Sequence, residues 1–168
     1  GTINQFVKYN TVFYPNFSNE QLDGYLDEFQ IDKEMKMKEV SLGQRKKAMI
    51  AFALALNTPI LLLDEPTNGL DIPSKAQFRK IIASVTNEEK CIVISTHQVR
   101  DLENLIDPII ILDRNQILLN NSVEEITQKL LFTHTTNRPE NALYAEQSIQ
   151  GYSSVSINTE GEESVLGL

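Results

Sequence analysis

Cysteine is almost absent from this chain, runs of apolar residues long enough to cross a membrane are wholly absent, and positive charge is the minority sign. Each shortage narrows what the molecule can be. Cys91 is the single cysteine among 168 residues, so no disulfide can form within the chain and nothing speaks for an oxidising compartment. The cytoplasm is therefore the expected location. No stretch approaches the roughly 20 apolar residues of a membrane-spanning helix; the runs at 60–63 and 109–112 are far too short. Any link to a membrane must run through a partner. With 15 Lys and Arg against 23 Asp and Glu, the formal net charge is -8, which argues against broad electrostatic binding to nucleic acid or anionic lipid. One basic cluster stands out, Lys33, Lys36, Lys38, Arg45, Lys46 and Lys47, but Asp32, Glu34 and Glu39 are mixed into it, and it reads as a solvated helix face. The chain opens with neither an initiator Met nor a signal peptide, so its natural start is expected elsewhere. No internal repeat or low-complexity tract is present.

What remains suits a globular domain, or two small ones: hydrophobic residues make up 41% of the chain, enough for a core. Leu22, Tyr25, Leu26 and Phe29 fall at helical offsets and predict an amphipathic helix over 19–37. The aromatic, Pro- and Asn-containing stretch before it, 12–17, reads as a structured loop. Ser41 is a suitable N-cap for a helix over 44–56, which Asn57 and Pro59 would stop. Ile60-Leu61-Leu62-Leu63 reads as a strand buried on both faces, and it ends abruptly in Asp64 and Glu65. A helix follows over 75–85, then a second buried strand from Cys91 that ends in Ser95-Thr96-His97. A short helix over 99–106 leads to a hairpin formed by 109–112 and 117–119. Beyond Ser122 a helix over 123–131 and strand-like residues over 152–157 suggest an appendage. Strands that alternate with helices imply a largely parallel sheet.

Ligands of such sheets sit beyond the carboxyl ends of the strands, which is where Asp64 and Glu65 fall. Adjacent side chains at a strand end point in different directions, so one carboxylate can serve Mg or its water shell while the other meets an attacking water. Ser41-Leu42-Gly43-Gln44 lies at a helix start, where unpaired N–H groups and a partial positive charge favour phosphate; Ser41 adds a hydroxyl and Gly43 permits close approach.

The order and spacing of Ser41-Leu42-Gly43-Gln44, a helix, the 60–65 strand, Asp71 and His97 resemble the ATP-binding-cassette (ABC) ATPases, over about half the chain. The resemblance implies an α/β, partial P-loop NTPase (RecA-like) fold: a helical subdomain with the signature motif over 1–58, the Walker B and switch-histidine part of the core over 59–121, and a small α+β appendage over 122–168. It implies ATP and Mg as cofactors. Ser41, Gly43 and Gln44 would contact the terminal phosphate of ATP held by the opposite subunit of a head-to-tail dimer. Asp64 would serve Mg, Glu65 would polarise water as general base, Asp71 would lie in the loop that couples the two sites, and His97 would reach the terminal phosphate. Leu42 stands where the family often has Gly, and Val40 where it usually has Leu.

No Gly-x-x-x-x-Gly-Lys-Ser/Thr phosphate loop is present, although in this family that loop precedes the signature helix. The chain is thus expected to be a carboxy-terminal fragment with little ATP binding of its own. The 13–17 stretch and the 152–168 tail resemble the bacterial exporter branch, so the expected partners are a second ATPase subunit and a transmembrane permease. The expected place is peripheral to the inner face of the cell membrane. Two other readings are a soluble ABC ATPase that acts as a conformational switch on ribosomes or nucleic acid, for which the acidic balance offers little support, and a degenerate binding module.

Overall fold

The computed structural model describes all residues except 88, 103, 104, 167 and 168. It divides into two compact units, Gly1–Leu105 and Ile106–Leu168. The predicted helix over 99–106 and the end of the 152–168 tail fall partly outside the described residues; within the former, Val99–Leu102 forms a 3-10 turn.

The first unit begins with α1 (Ile3–Asn10), which the sequence reading did not anticipate. Thr2 caps it, its side chain accepting from the Gln5 N–H while the Gln5 side chain returns a bond to the Thr2 N–H, so two of the orphan donors of the first turn are satisfied. A 3-10 turn over Thr11–Phe13 follows, where a loop was expected. Helix α2 (Asn19–Glu28) starts on Ser18 and stops nine residues before the predicted end at Met37. Gln30 adopts φ +56°, Ile31 N–H reaches the Leu26 carbonyl at 2.9 Å and Gln30 N–H reaches Asp27 at 3.0 Å. These are the bonds of a Schellman stop, and the buried pair Leu26 and Ile31 supplies its apolar contact.

Helix α3 (Leu42–Ala55) forms as expected, with a reciprocal cap between Ser41 and Gln44. Asn57 ends it at φ +52°. Its inner face presents Ala48, Ala51 and Ala55, whose small side chains allow close packing, beside buried Phe52 and Leu54. The Phe52 ring meets Phe6 edge-on at 5.3 Å between centroids. Strands β1 (Ile60–Asp64) and β2 (Cys91–Ser95) pair in parallel, with Asp64 opposite Ser95. Between them runs α4 (Ile72–Val85), which buries Phe78, Ile81 and Ile82.

The expectation that both strands are buried on both faces does not hold. Leu61 is buried but Ile60 and Leu62 are 63% and 71% exposed, and Val93 and Cys91 are also exposed. Period-two side chains divide between two faces, and the described residues of this unit cover one of them.

In the second unit β3 (Ile109–Asp113) and β4 (Gln116–Asn121) form the predicted hairpin, with a bulge at Ile111/Leu112. Arg114 and Asn115 both take positive φ, as a two-residue reversing loop requires. Helix α5 (Val123–Lys129) is capped by Ser122 and Glu125. Strands β5 (Leu130–Thr135), β6 (Tyr144–Ser148) and β7 (Gly151–Ile157) make an antiparallel sheet in the order β5-β7-β6. Both units mix helices and strands, but among the described residues only β1 and β2 pair in parallel, where a largely parallel sheet was expected. No helix among the described residues is long and apolar enough to cross a membrane.

Candidate functional site

The carboxyl ends of β1 and β2 deliver the predicted acids and imidazole to one place. The parallel register sets Asp64 beside Ser95, whose hydroxyl donates to Asp64 Oδ1. Glu65 leaves the strand at φ +45°, a left-handed conformation that costs a non-glycine residue of order 1 kcal/mol. The turn is fixed on both sides: Glu65 N–H donates to the Ser95 carbonyl at 2.8 Å, and the Glu65 carbonyl accepts from Asn68 N–H at 3.2 Å. The altered direction swings the Glu65 carboxylate over the end of β2. There Oε1 accepts the His97 N–H at 3.0 Å and lies 2.7 Å from His97 Nδ1, while Oε2 accepts the Thr96 hydroxyl at 3.1 Å.

This arrangement dictates the electrostatics of Glu65. The His97 side chain, then the Thr96 hydroxyl and the His97 N–H, hold its carboxyl below the usual glutamate value, against an opposing effect of burial. It is therefore ionised at neutral pH. A carboxylate offers about four lone-pair positions, and three donors are engaged, so Oε2 retains room for a water. With Nδ1 occupied by Glu65, Nε2 is the His97 nitrogen left to meet a further group.

Ser41, Gly43 and Gln44 lie at the other end of the arrangement, on the exposed start of α3. Ser41 Oγ accepts the Gln44 N–H at 3.1 Å, and Gln44 Oε1 accepts the Ser41 N–H at 2.9 Å. The Ser41 hydroxyl proton and the Gln44 amide N–H groups are left to donate. A Cβ built on Gly43 would meet the Gly69 carbonyl at 3.5 Å, ordinary contact. The protein's own packing therefore does not require glycine there. Among the described residues none of the three bonds to Asp64, Glu65 or His97. Asp71 caps α4, its Oδ1 accepting the Ser74 N–H at 2.9 Å; the Ser74 side chain and N–H, with Lys47 beyond, hold Asp71 below the usual aspartate range.

Several residues escaped the sequence reading. Thr96 precedes the imidazole directly, and its position beyond the strand was the available signal. Lys46 and Lys47, expected on a solvated face, are half-buried, the first against the loop after β1 and the second against the start of α4. Lys46 Nζ donates to the Glu65 carbonyl at 2.8 Å and to Asn68 at 2.7 Å, and Lys47 reaches Ser74 Oγ at 3.3 Å. Long ammonium side chains cap carbonyls as readily as they seek water, and charge counting cannot separate the two. Behind the loop Lys75 Nζ pairs with Asp101 Oδ2 at 2.7 Å, beside the fully buried Thr67. Burial raises Asp101, but the Lys75 ammonium outweighs it and keeps the carboxyl below its usual value.

Among the described residues no group of three or more His, Cys, Asp or Glu side chains could hold a metal alone. The exposed Asp64 carboxylate with its Ser95 neighbour instead suits a cation carried mainly by phosphate and water, the way Mg is commonly bound. The exposed, capped start of α3 suits a phosphate.

Residues 3–68 match the family model described as ABC transporter. The chain is 32% identical, over 67% of its length and 44% of the relative's, to an uncharacterized ABC transporter ATP-binding protein of Methanocaldococcus jannaschii. It is 31% identical, over 59% of its length and 31% of the relative's, to the energy-coupling factor transporter ATP-binding protein EcfA2 of Mycoplasmoides gallisepticum. The solved ATP binding subunit of an ABC transporter superposes with a TM-score of 0.66 at 22% identity, over 75% of this chain and 55% of that one. The chain thus spans less than half the length of these curated relatives, and the structural likeness shows that it shares the mixed helix and strand fold of part of that subunit.

Proposed function

We propose, for a chain that belongs to the ABC transporter ATP-binding family, that it supplies the hydrolytic edge and the signature helix of a transport ATPase that drives a membrane permease. The observation that carries this reading is the contact of Glu65 with His97 and Thr96 across the ends of two parallel strands. Within it, residues 1–58 form the helical part with the signature motif, 59–121 the Walker B and switch-histidine part, and 122–168 the appendage.

The whole ATPase would bind ATP with Mg, which supplies charge neutralisation at the phosphates. Asp64 would hold the cation's shell, and Glu65 Oε2 would accept a hydrogen bond from water and orient it for in-line attack on the terminal phosphate. An ionised carboxylate with a lowered pKa is a weak base, so its contribution is mainly to orient and polarise, in keeping with phosphoryl transfer that relies on positioning. His97, held by Glu65 through Nδ1, would present Nε2 to the terminal phosphate. Ser41, Gly43 and Gln44 would meet the phosphate of a second copy in a head-to-tail dimer, and Asp71 would fix the start of α4 between the two sites. The chain alone, without a phosphate loop, would bind ATP weakly. The expected setting is the cytoplasmic face of the membrane. Export is the finer reading, supported by the aromatic stretch at 13–17.

The test is Glu65→Gln in the whole ATPase. Turnover should fall by about 100-fold, the scale on which a misplaced reacting group slows a reaction, while ATP still binds. Unchanged turnover would refute the role of Glu65.

A further inference from the structure

One feature of the loop after β1 takes no part in the proposed hydrolysis: a half-buried lysine of α3 that ends on the Glu65 carbonyl. Lys46 lies five residues after Ser41, on the second turn of α3. Its ammonium sits between the carbonyls of Glu65 and Asn68, at 2.8 and 2.7 Å. Those two carbonyls bracket one tight turn, closed by the Asn68 N–H to the same Glu65 carbonyl. A compact cation with three donors can satisfy both, whereas the planar fork of Arg is shaped for carboxylate or phosphate.

The consequence is mechanical. Glu65 is tied to β2 through its N–H and to α3 through its carbonyl, so a rotation or shift of α3 pulls directly on the turn that aims the carboxylate. The same helix presents Ser41 at its exposed start. We infer that Lys46 is a positioning residue that couples the start of α3 to the Glu65 carboxylate, so that contact of Ser41 with phosphate at one site sets the aim of Glu65 at the other. This inference rests on the assignment of Glu65 and Ser41 proposed above.

The experiment uses the whole ATPase with Lys46→Met, Lys46→Arg and Glu65→Gln, singly, and with Lys46→Met combined with Glu65→Gln. Steady-state kcat, KM for ATP, the Hill coefficient and the melting temperature are measured for each. A small misplacement of a reacting group costs up to about 100-fold, so Lys46→Met should lower kcat by about 10- to 100-fold with KM nearly unchanged. It should bring the Hill coefficient towards one and add little to the loss in the Glu65→Gln protein. Lys46→Arg should recover part of kcat. If Lys46→Met lowers the melting temperature while kcat and cooperativity of the folded fraction stay as in the parent, Lys46 merely braces the loop and the inference fails. It fails equally if the Lys46→Met loss is undiminished in the Glu65→Gln protein. Should Lys46→Met not fold, Lys46→Gln is judged by the same criteria. A Glu65→Gln protein with normal turnover would instead overturn the assignment of Glu65, an outcome separate from these.

Discussion

Ser41 caps α3 and is proposed to contact phosphate, two duties that substitution can separate. Its Oγ accepts the Gln44 N–H at 3.1 Å and so caps α3, while its proton is free to donate to a phosphate. Ser41→Ala removes both. The loss of the cap costs about 1 kcal/mol, which lowers the melting temperature of a unit of this size by about 4–8 °C. Ser41→Asp keeps the acceptor, and a carboxylate at a helix amino terminus is favourable by about 0.3–1 kcal/mol, so stability should hold or rise slightly. The phosphate contact fares differently. A carboxylate about 4 Å from a phosphate charge is disfavoured by about 1 kcal/mol in water and about 4 kcal/mol at an effective dielectric near 20, a loss of roughly fivefold to a thousandfold in association. Circular dichroism melts of this chain, paired with sedimentation of the whole ATPase in ATP, measure the two effects. The expected result is a normal melt and poor ATP-driven dimerisation for Ser41→Asp. If Ser41→Asp dimerises normally and only Ser41→Ala fails, Ser41 acts through the cap alone and the phosphate role is wrong.

Gly43→Ala should fold normally, since its Cβ would meet only ordinary contact at 3.5 Å, and stability should rise by up to about 1 kcal/mol from helix propensity. A drop in ATPase rate without a drop in melting temperature would place its function outside the chain's own packing, and an equal drop in both would contradict that. Asp101→Asn and Lys75→Met should each destabilise by about 1–3 kcal/mol and be strongly coupled in a double-mutant cycle, because removing one partner strands the other in a largely buried pair; additive losses would show the pair to be idle. Asp71 and Asp101 are held below their ordinary values. Their contribution to stability is therefore present above the unfolded carboxylate value near about 4 and is lost as pH falls through the lower folded values. Melting temperature should be nearly flat from about pH 7 to 5 and fall below about 4. Asp71→Asn, which can still cap but cannot titrate, should make that acid slope shallower; a fall that begins above pH 5 would contradict the assignment.

The convergence of Asp64, Glu65 and His97 was legible in the sequence because all three follow apolar runs at strand ends. Four apolar residues followed by Asp64 and Glu65 announce where a strand stops, and the polar residues after Cys91-Ile92-Val93-Ile94 announce its neighbour. Helix α3 was legible from both ends, through Ser41 with Gln44 and through Asn57 with Pro59. The signals that failed have physical reasons. Helix α2 stops at a left-handed Gln30, where a glycine would have given the stop away. Helix α1 carries the same capping pattern as α3, Thr2 with Gln5, yet its mixed composition hid it. Strand β5 opens on Leu130-Leu131-Phe132, an apolar run without alternation whose first two residues extend the helical pattern over 123–131 although α5 stops at Lys129, and β6 is too polar to mark itself. Lys46 was hidden for another reason: a lysine that caps carbonyls is indistinguishable in sequence from one that meets water.

In the proposed arrangement one triphosphate is held between Asp64, Glu65 and His97 of one copy and Ser41 of another. A structure of the whole ATPase carrying Glu65→Gln, crystallised with ATP and Mg, measures this directly. The expected result is Ser41 Oγ within hydrogen-bond distance of the terminal phosphate whose Mg is served by Asp64 of the second copy. Ser41 turned to solvent, or set on the same nucleotide as Asp64 of its own chain, would contradict it.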